Sequence, residues 1–425
     1  MKSMNRRLFG AVTAIAVTAA SLTGCKETDG QDWEFDGSIS PEVLDNYLSR
    51  AMTLTEFLTV DPYCIDGSYP DKQADIDLIR DAGVKFVGRS IYRWGHEEVL
   101  NDPAFWSGAK ALVDKVHEVD PDIIFQAGIF EAVYRNVETV HIPQWAFHAL
   151  GLPAEDRNFR YSDMLFPDGL FVDQWGPGGS VPDIRQMETQ LWFMYLVGSY
   201  VDIGVESIHL GQVMLMGAKD EGWRSWEGFL DKARQYAGPR ARRHLVMFDA
   251  HAGSRGMIVE GNRSLLDFNA YPLRVKEVPE RPMEGVLEVG FLDALYCKSP
   301  ACVTPSGWYC DALPYLVEFD NFGPGPNPGT ADLNDHFVWG YDEISWFYGL
   351  SHEDKVAWLE YAYKWIEETD PAGHLEMPGA RVINTGEGPV FISRAVANNA
   401  QIKTGMDIGD AICRLWNGTE PQVRK

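Results

Sequence analysis

Two acids follow an apolar run in the stretch Tyr-Leu-Val-Glu-Phe-Asp-Asn-Phe-Gly, residues 315–323. The apolar residues predict a buried strand, and side chains two apart on a strand face the same way, so Glu318 and Asp320 are expected to share one face. Neighbouring carboxylates in a cleft are suited to acid–base and nucleophilic chemistry, because they drive each other's pKa values apart. The stretch therefore predicts an acidic functional face at the end of a strand.

Eight β-rich apolar runs recur along the chain, and amphipathic helical patterns separate many of them. Alternating strands and helices imply parallel pairing with helical crossovers. Eight such strands predict an α/β fold of the (β/α)8 TIM barrel type, with long loop insertions after strands 6 and 7. An open doubly wound sheet is the alternative if some strands are assigned wrongly. The predicted strands are 56–64, 84–92, 122–131, 207–215, 244–251, 265–272, 315–322 and 373–382.

The carboxyl ends of the strands hold the active site in such a barrel. The predicted strand ends and the loops after them supply amide, imidazole, guanidinium, carboxylate and aromatic groups, which suit a polyhydroxylated ligand. Flat aromatic rings also pack on the apolar faces of sugars, although packing in the core explains each tryptophan taken singly. The expected substrate-binding residues are Asp320, Asn321, His251, Asn269, Tyr271, Gln212, Arg89, Trp94 and Trp175.

This combination resembles the glycoside hydrolases of the (β/α)8 type, over most of the mature chain and without a match to one family signature. In their largest clan, a Glu ending strand 4 is the general acid/base and a Glu ending strand 7 is the nucleophile. Glu318 in Leu-Val-Glu-Phe-Asp-Asn matches the strand-7 position. Strand 4 departs from the pattern, because Gln212 stands where an Asn-Glu pair is expected.

Glycosidic cleavage generally uses two carboxyl groups. We expect Glu318 to be one of them and Asp249 or Glu131, which end strands 5 and 3, to be its partner. A buried acid paired with an arginine explains Glu318 nearly as well, and a structural role is an equal alternative for the other two. The sequence thus predicts a glycosidase that acts on a poly- or oligosaccharide at the cell envelope.

Two other functions stay open at this point. A non-catalytic glycan-binding lipoprotein on a barrel scaffold would explain the missing acid of strand 4, and a polysaccharide lyase with a tyrosine or histidine base would use residues such as Tyr271. No phosphate-binding glycine loop, nucleophile elbow or convincing zinc spacing occurs in the sequence. We therefore expect no cofactor and no metal.

The N-terminus has the three parts of a secretory signal, which are a basic start, an apolar stretch and a processing site. The processing site Leu-Thr-Gly-Cys resembles the lipobox of bacterial lipoproteins, which implies that Cys25 is lipidated. The chain is then secreted across the inner membrane and attached by this lipid alone, at the outer membrane or cell surface. The expected organisation is a signal peptide at 1–25, a flexible tether at 26–40 and the barrel domain at 41–425.

The chain of 425 residues carries a formal net charge of −25. This charge argues against nucleic acid or anionic lipid as a partner, since both require a cationic face. The expected partners are a carbohydrate substrate and neighbouring polysaccharide-utilisation proteins. The spacing between Cys297 and Cys302 could close a small disulfide loop, but the number of cysteines apart from Cys25 is odd and the pairing is not deducible.

Overall fold

The structure is a computed structural model. It describes residues 31–65, 69, 72–252, 256–278, 280–281, 283–289, 298–321, 342–386 and 388–418. The predicted signal peptide, its lipidation site Cys25, and Cys297 lie outside these residues, as does most of the loop after the seventh strand. Within the described ranges, no helix has the length and apolar character needed to cross a bilayer.

A curled sheet of ten strands forms the centre of the described chain, and α-helices accompany it. Seven strands lie side by side in chain order and pair in parallel, which matches the alternation of strands and helices in the sequence. The strands are β1 (Ala51–Leu54), β2 (Phe86–Ile91), β3 (Ile124–Gly128), β4 (Ser207–Gln212), β5 (Met247–His251), β6 (Asn269–Pro272), β7 (Tyr315–Glu318), β8 (Gly373–Leu375), β9 (Met377–Ile383) and β10 (Phe391–Arg394).

Residues 373–383 connect the two ends of this row of strands. Strand β8 pairs in parallel with β7, β9 pairs in parallel with β1, and Glu376 alone separates β8 from β9. Strand β10 adds to β9 in the antiparallel direction. One chain segment therefore contacts both the first and the seventh strand of the parallel row.

The helices follow the periodicity of the sequence, and several begin at recognisable caps. Asp102 caps α3 by accepting a hydrogen bond from the Ala104 backbone N–H at 2.8 Å, and Pro103 occupies the first helical position. The helices are α1 (Pro41–Leu48), α2 (Gln73–Ala82), α3 (Pro103–His117), α4 (Gln144–Ala149), α5 (Met187–Asp202), α6 (Val213–Met216), α7 (Arg224–Ala237), α8 (Glu343–Gly349), α9 (His352–Thr369) and α10 (Gly409–Asn417).

The first strand differs from its prediction. Strand β1 covers 51–54, whereas the apolar run at 56–64 forms a turn in which Phe57 N–H bonds the Leu54 carbonyl and Glu56 has a left-handed φ of 55°. Phe57 and Leu58 are buried all the same. Burial alone does not distinguish a strand from a turn packed on the core, and this is why the apolar run was misleading.

A second core cluster lies at the amino ends of the strands. The rings of Trp33 and Phe35 pack edge-on against Tyr47 of α1, with ring centroids 5.1 and 5.9 Å apart. Their neighbours include Ala51 and Phe86, which open β1 and β2. The expected tether at 26–40 is therefore too long at its C-terminal side, because its residues from Trp33 onward belong to the folded domain.

Candidate functional site

A cavity of about 750 Å³ lies at the carboxyl ends of the parallel strands. Nine of the residues proposed from the sequence line it: Glu131, Asp320, Asn321, His251, Tyr271, Gln212, Arg89, Trp94 and Trp175. Glu318, Asp249 and Asn269 do not line it. Asn269 is misplaced by the prediction because β6 starts at this residue, which puts its buried side chain at the amino end of the strand.

Aromatic rings form one wall of the cavity. Trp94 is 40% exposed, and its ring lies 5.2 Å from that of Trp175 and 5.7 Å from that of Phe130. The indole N–H of Trp175 donates to the Glu131 carbonyl at 2.8 Å, and that of Trp94 donates to the Tyr134 hydroxyl at 3.1 Å. These bonds fix the edges of both indoles, and the Trp175 and Phe130 rings are inclined by 68° and 55° to that of Trp94. The partly exposed ring of Trp94 is available for stacking on an apolar ligand surface.

Glu131 comes from the end of β3 but its carboxylate lies over the end of β4. One carboxylate oxygen accepts the Gln212 backbone N–H and the other accepts the Gln212 side-chain N–H, both at 2.8 Å. A Cβ at Gly211 would come within 2.2 Å of Glu131 Oε2, and Gly211 has a φ of +58° that glycine adopts without strain. The acid that the resemblance expects on strand 4 is absent there, and an acid from strand 3 occupies that place.

Arg89 reaches the cavity from an irregular position in β2. Its φ is 51°, a conformation that costs a non-glycine residue energy, and the pairing of β2 with β3 shifts register around it. The guanidinium contacts the imidazoles of His209 and His251 at 3.3 and 3.2 Å and forms an ion pair with Glu318. Such irregularities redirect side chains, and here one brings a cation to the cavity floor.

Glu318 lies beneath the floor of the cavity. Its Oε1 contacts Arg89 and the His251 imidazole, the latter at 2.8 Å, and its Oε2 accepts from Arg381 at 2.5 Å. Burial alone would raise the pKa of this carboxyl, but the two guanidiniums outweigh it and hold the pKa well below its usual range. Glu318 is therefore an ionised carboxylate whose two oxygens are both engaged.

Asp249 is completely buried one layer further down. It accepts hydrogen bonds from Gln126 and from the His209 imidazole, both at 2.7 Å. Burial raises the pKa of Asp249 and lowers the pKa of His209, so that burial favours the neutral form of each. The pair supports Arg89 from behind, since His209 also contacts that guanidinium.

Asp320 and Asn321 carry the strand-7 segment onto the cavity wall. The backbone N–H of Asp320 donates to Glu343 of α8 at 3.1 Å, and Asn321 donates to the Val382 carbonyl at 2.6 Å while it accepts from Arg381 at 3.1 Å. Burial raises the pKa of Glu343 to about 7. Of the two acids Glu318 and Asp320, only Asp320 lines the cavity.

Glu376, between β8 and β9, is a second buried acid beside Glu318. Burial raises its pKa to about 7, and the negative charge of Glu318 acts in the same direction. Its Oε1 lies where a Cβ of residue 88 would be and has no hydrogen-bond partner among the described residues. Gly88 therefore leaves room for this carboxyl.

Arg381 and Glu56 are among the lining residues that were not proposed from the sequence. Arg381 is a charged residue inside the apolar strand β9, a pattern that indicates a buried ion pair and could have identified it. Glu56 lines the cavity in the turn after β1, accepts the Ile65 backbone N–H at 3.0 Å, and has its pKa raised by burial. The misplaced first strand concealed it.

The described residues contain no group of three or more His, Cys, Asp or Glu side chains placed to hold a metal ion. The cavity instead combines carboxylates, guanidiniums and imidazoles with the aromatic wall.

No protein-family model and no curated protein matches the chain. Among solved structures it is similar to a debranching enzyme from Nostoc punctiforme, at 13% identity and a TM-score of 0.33, covering 56% of this chain and 53% of that one. A noncanonic maltogenic α-amylase from Thermotoga neapolitana matches at 10% identity and 0.33, covering 53% and 50%. A GH27 β-L-arabinopyranosidase from Geobacillus stearothermophilus matches at 13% and 0.29, covering 48% and 49%.

These neighbours are glycosidases, and the chain spans about half the length of each. Likeness at these values assigns no activity to this chain.

Proposed function

We propose that this chain is a glycoside hydrolase that cleaves a poly- or oligosaccharide in the cavity, with Glu131 and Asp320 as its two catalytic carboxyl groups. The observation that carries the proposal is the position of Glu131 on Gly211 and Gln212, since it supplies a cavity-facing acid at the end of strand 4. Asp320 supplies the second acid from the end of strand 7. The aromatic wall with Trp94 then binds the sugar rings.

The chemistry needs one carboxylic acid and one carboxylate. The acid gives its proton to the glycosidic oxygen as the bond to the anomeric carbon breaks. In one route the carboxylate removes a proton from the water that attacks that carbon. In the other it attacks the carbon itself and forms a glycosyl ester, which water then cleaves while the first residue, now a carboxylate, takes a proton from that water. In both routes the water oxygen ends as the new anomeric hydroxyl. The guanidiniums of Arg89 and Arg381 and the imidazole of His251 are available to bind hydroxyls at the cavity floor.

The earlier assignment of Glu318 and Asp249 as catalytic stays a prediction, which this geometry does not favour. Glu318 does not line the cavity, and its carboxylate forms ion pairs with Arg89 and Arg381. Glu131, in contrast, lines the cavity, and its carboxylate accepts hydrogen bonds from the neutral N–H groups of Gln212. Glu318 is better suited to keep Arg89 and Arg381 in place.

The fold and the location of the protein are part of the same proposal. Because residues 373–383 pair with both β7 and β1, we propose that the parallel strands close as a (β/α)8 barrel with β8 and β9 together as the eighth strand. Export and lipid attachment through Cys25 would bring the chain to envelope polysaccharides.

The test measures reducing ends released from a panel of neutral and uronic-acid polysaccharides by the purified chain. We expect release from at least one of them and a fall of about 10²–10⁴-fold in Glu131→Gln and Asp320→Asn, which is the usual contribution of a catalytic acid or base. The exposed Glu353→Gln is the control and should leave the rate unchanged. Binding of a polysaccharide without any release would instead favour the glycan-binding alternative.

Aryl glycosides with a good leaving group assign the two roles. Such a substrate needs no proton from the enzyme when its bond breaks, so the variant of the general acid keeps much of its turnover on it. The variant of the other carboxylate loses turnover on both substrates. If both variants keep full turnover on both, neither residue is catalytic and the proposal fails.

A further inference from the structure

Two cysteines face each other in a hairpin that the proposed catalysis does not use. Residues 302–303 and 309–310 form two short antiparallel strands, in which Cys302 stands directly opposite Cys310. Their sulfur atoms are 3.7 Å apart. Residues opposite each other in an antiparallel pair have Cα atoms about 4.5–5.5 Å apart, within the range that a disulfide spans.

We propose that Cys302 and Cys310 form a disulfide in the exported protein. The thiols already touch, so rotation of the two side chains brings them together without a change of strand pairing. The other described cysteines have no such neighbour, because Cys64 contacts Thr59 and Asp61 and Cys413 is buried in α10. This pairing differs from the small loop that the spacing of Cys297 and Cys302 indicated.

The oxidation needs an electron acceptor. In an oxidising compartment, the disulfide bond of a thiol oxidase or of oxidised glutathione serves as this acceptor. Cys310 is partly exposed, and its thiolate attacks the donor disulfide and releases one thiol. Cys302 then attacks the mixed disulfide and releases the second thiol. Two protons and two electrons leave the pair, and the donor gains both.

The hairpin holds the segment through which the chain enters the domain. The indole N–H of Trp308 donates to the Ile39 carbonyl at 3.0 Å, and Ile39 N–H donates to the Ser306 hydroxyl at 3.1 Å. Trp308 packs on the core cluster at the amino ends of the strands, away from the cavity. The disulfide therefore closes a ring around the residues that fasten the N-terminal segment, where a lipid-anchored chain would be pulled.

The first experiment maps the thiols after the full chain is equilibrated with oxidised glutathione and then unfolded in urea that contains the alkylating agent. We expect a Cys302–Cys310 cross-linked peptide that is lost on reduction, while Cys64 and Cys413 are alkylated. A Cys297→Ser variant should give the same cross-link. Alkylation of both Cys302 and Cys310, or a cross-link that contains Cys297, would overturn the pairing.

The second experiment measures Tm for oxidised and reduced protein. Oxidation should raise the Tm of the wild-type chain by a few degrees and leave that of Cys302→Ser and Cys310→Ser unchanged. Ligand binding in the cavity should be the same in both redox states, because the hairpin lies at the other end of the strands. A Tm that does not depend on oxidation in the cross-linked wild type would overturn the fastening role.

Discussion

The substitution Glu318→Gln tests what the most buried acid of the site does. Glu318 forms ion pairs with Arg89 and Arg381, whose side chains are 11% and 2% exposed. Glutamine keeps the shape but leaves two buried guanidiniums without a counter-charge. Breaking a buried pair by removing one partner costs about 3–5 kcal/mol, so we expect the free energy of unfolding at pH 7 to fall by about that amount.

A matched control exists at the opposite end of the strands. Glu206, directly before β4, also pairs with two arginines, Arg242 and Arg243, whose side chains are 34% and 13% exposed. Water compensates these guanidiniums better, so Glu206→Gln should cost less, about 1–3 kcal/mol. It should also leave reducing-end release unchanged.

Urea unfolding followed by circular dichroism at several pH values measures both effects. The pKa of Glu318 is depressed in the folded state, so its stabilisation is present above the unfolded pKa of about 4.3 and is lost as pH falls through the folded pKa. The difference between wild type and Glu318→Gln should therefore shrink in strong acid. A difference below about 1 kcal/mol at pH 7 would refute this role. Lost turnover with full stability would return Glu318 to the catalytic pair.

Three further predictions concern the cavity and its surroundings. Gly211→Ala should displace the Glu131 carboxylate and reduce turnover at least 10²-fold. The control is Gly222→Ala, because Gly222 also has a positive φ but a Cβ added there would have no atom within 4 Å. This control should cost only about 1 kcal/mol of backbone strain and should leave activity unchanged. The pKa of Glu376 is raised to about 7, so its burial destabilises the fold as pH rises from about 4.5 through 7. In urea unfolding, Glu376→Gln should therefore stabilise the protein by up to about 3 kcal/mol at pH 8 but little at pH 5. Trp94→Ala should weaken glycan binding in calorimetry about 10-fold, from about 1.4 kcal/mol of lost stacking, whereas Tyr309→Ala, exposed at the other end of the molecule, should not. Equal effects of a variant and its control, or no pH dependence for Glu376→Gln, would contradict the respective reasoning.

The strand order and nine of the residues that line the cavity could be predicted from the sequence, because apolar runs followed by polar residues mark the carboxyl ends of parallel strands. The sequence did not indicate at which residue each strand begins and ends. Side chains two apart on a strand face the same way, which led to the expectation that Glu318 and Asp320 share one face. Strand β7 ends at Glu318, however, so this alternation does not extend to Asp320. Of the two acids, only Asp320 lines the cavity. Strand β6 starts at Asn269 and not at 265 as predicted, so Asn269 lies at the amino end of the strand and does not line the cavity.

The position of Glu131 depends on tertiary contacts that no local pattern records. Its carboxylate crosses from β3 to β4 because Gly211 has no side chain and Gln212 offers two N–H donors. In the sequence, this arrangement appears only as a missing acid on strand 4. Residues eighty positions apart must be brought together before Gln212 can be recognised as the support of a neighbouring acid.

The most direct measurement is the initial rate of reducing-end release by wild type and Glu131→Gln on a polysaccharide that both proteins bind. A fall of about 10²–10⁴-fold with unchanged affinity and stability is the predicted result. Equal rates would contradict the central claim, because Glu131 would then be a structural acid. Asp320 would be left without a second catalytic carboxyl group at the end of strand 4.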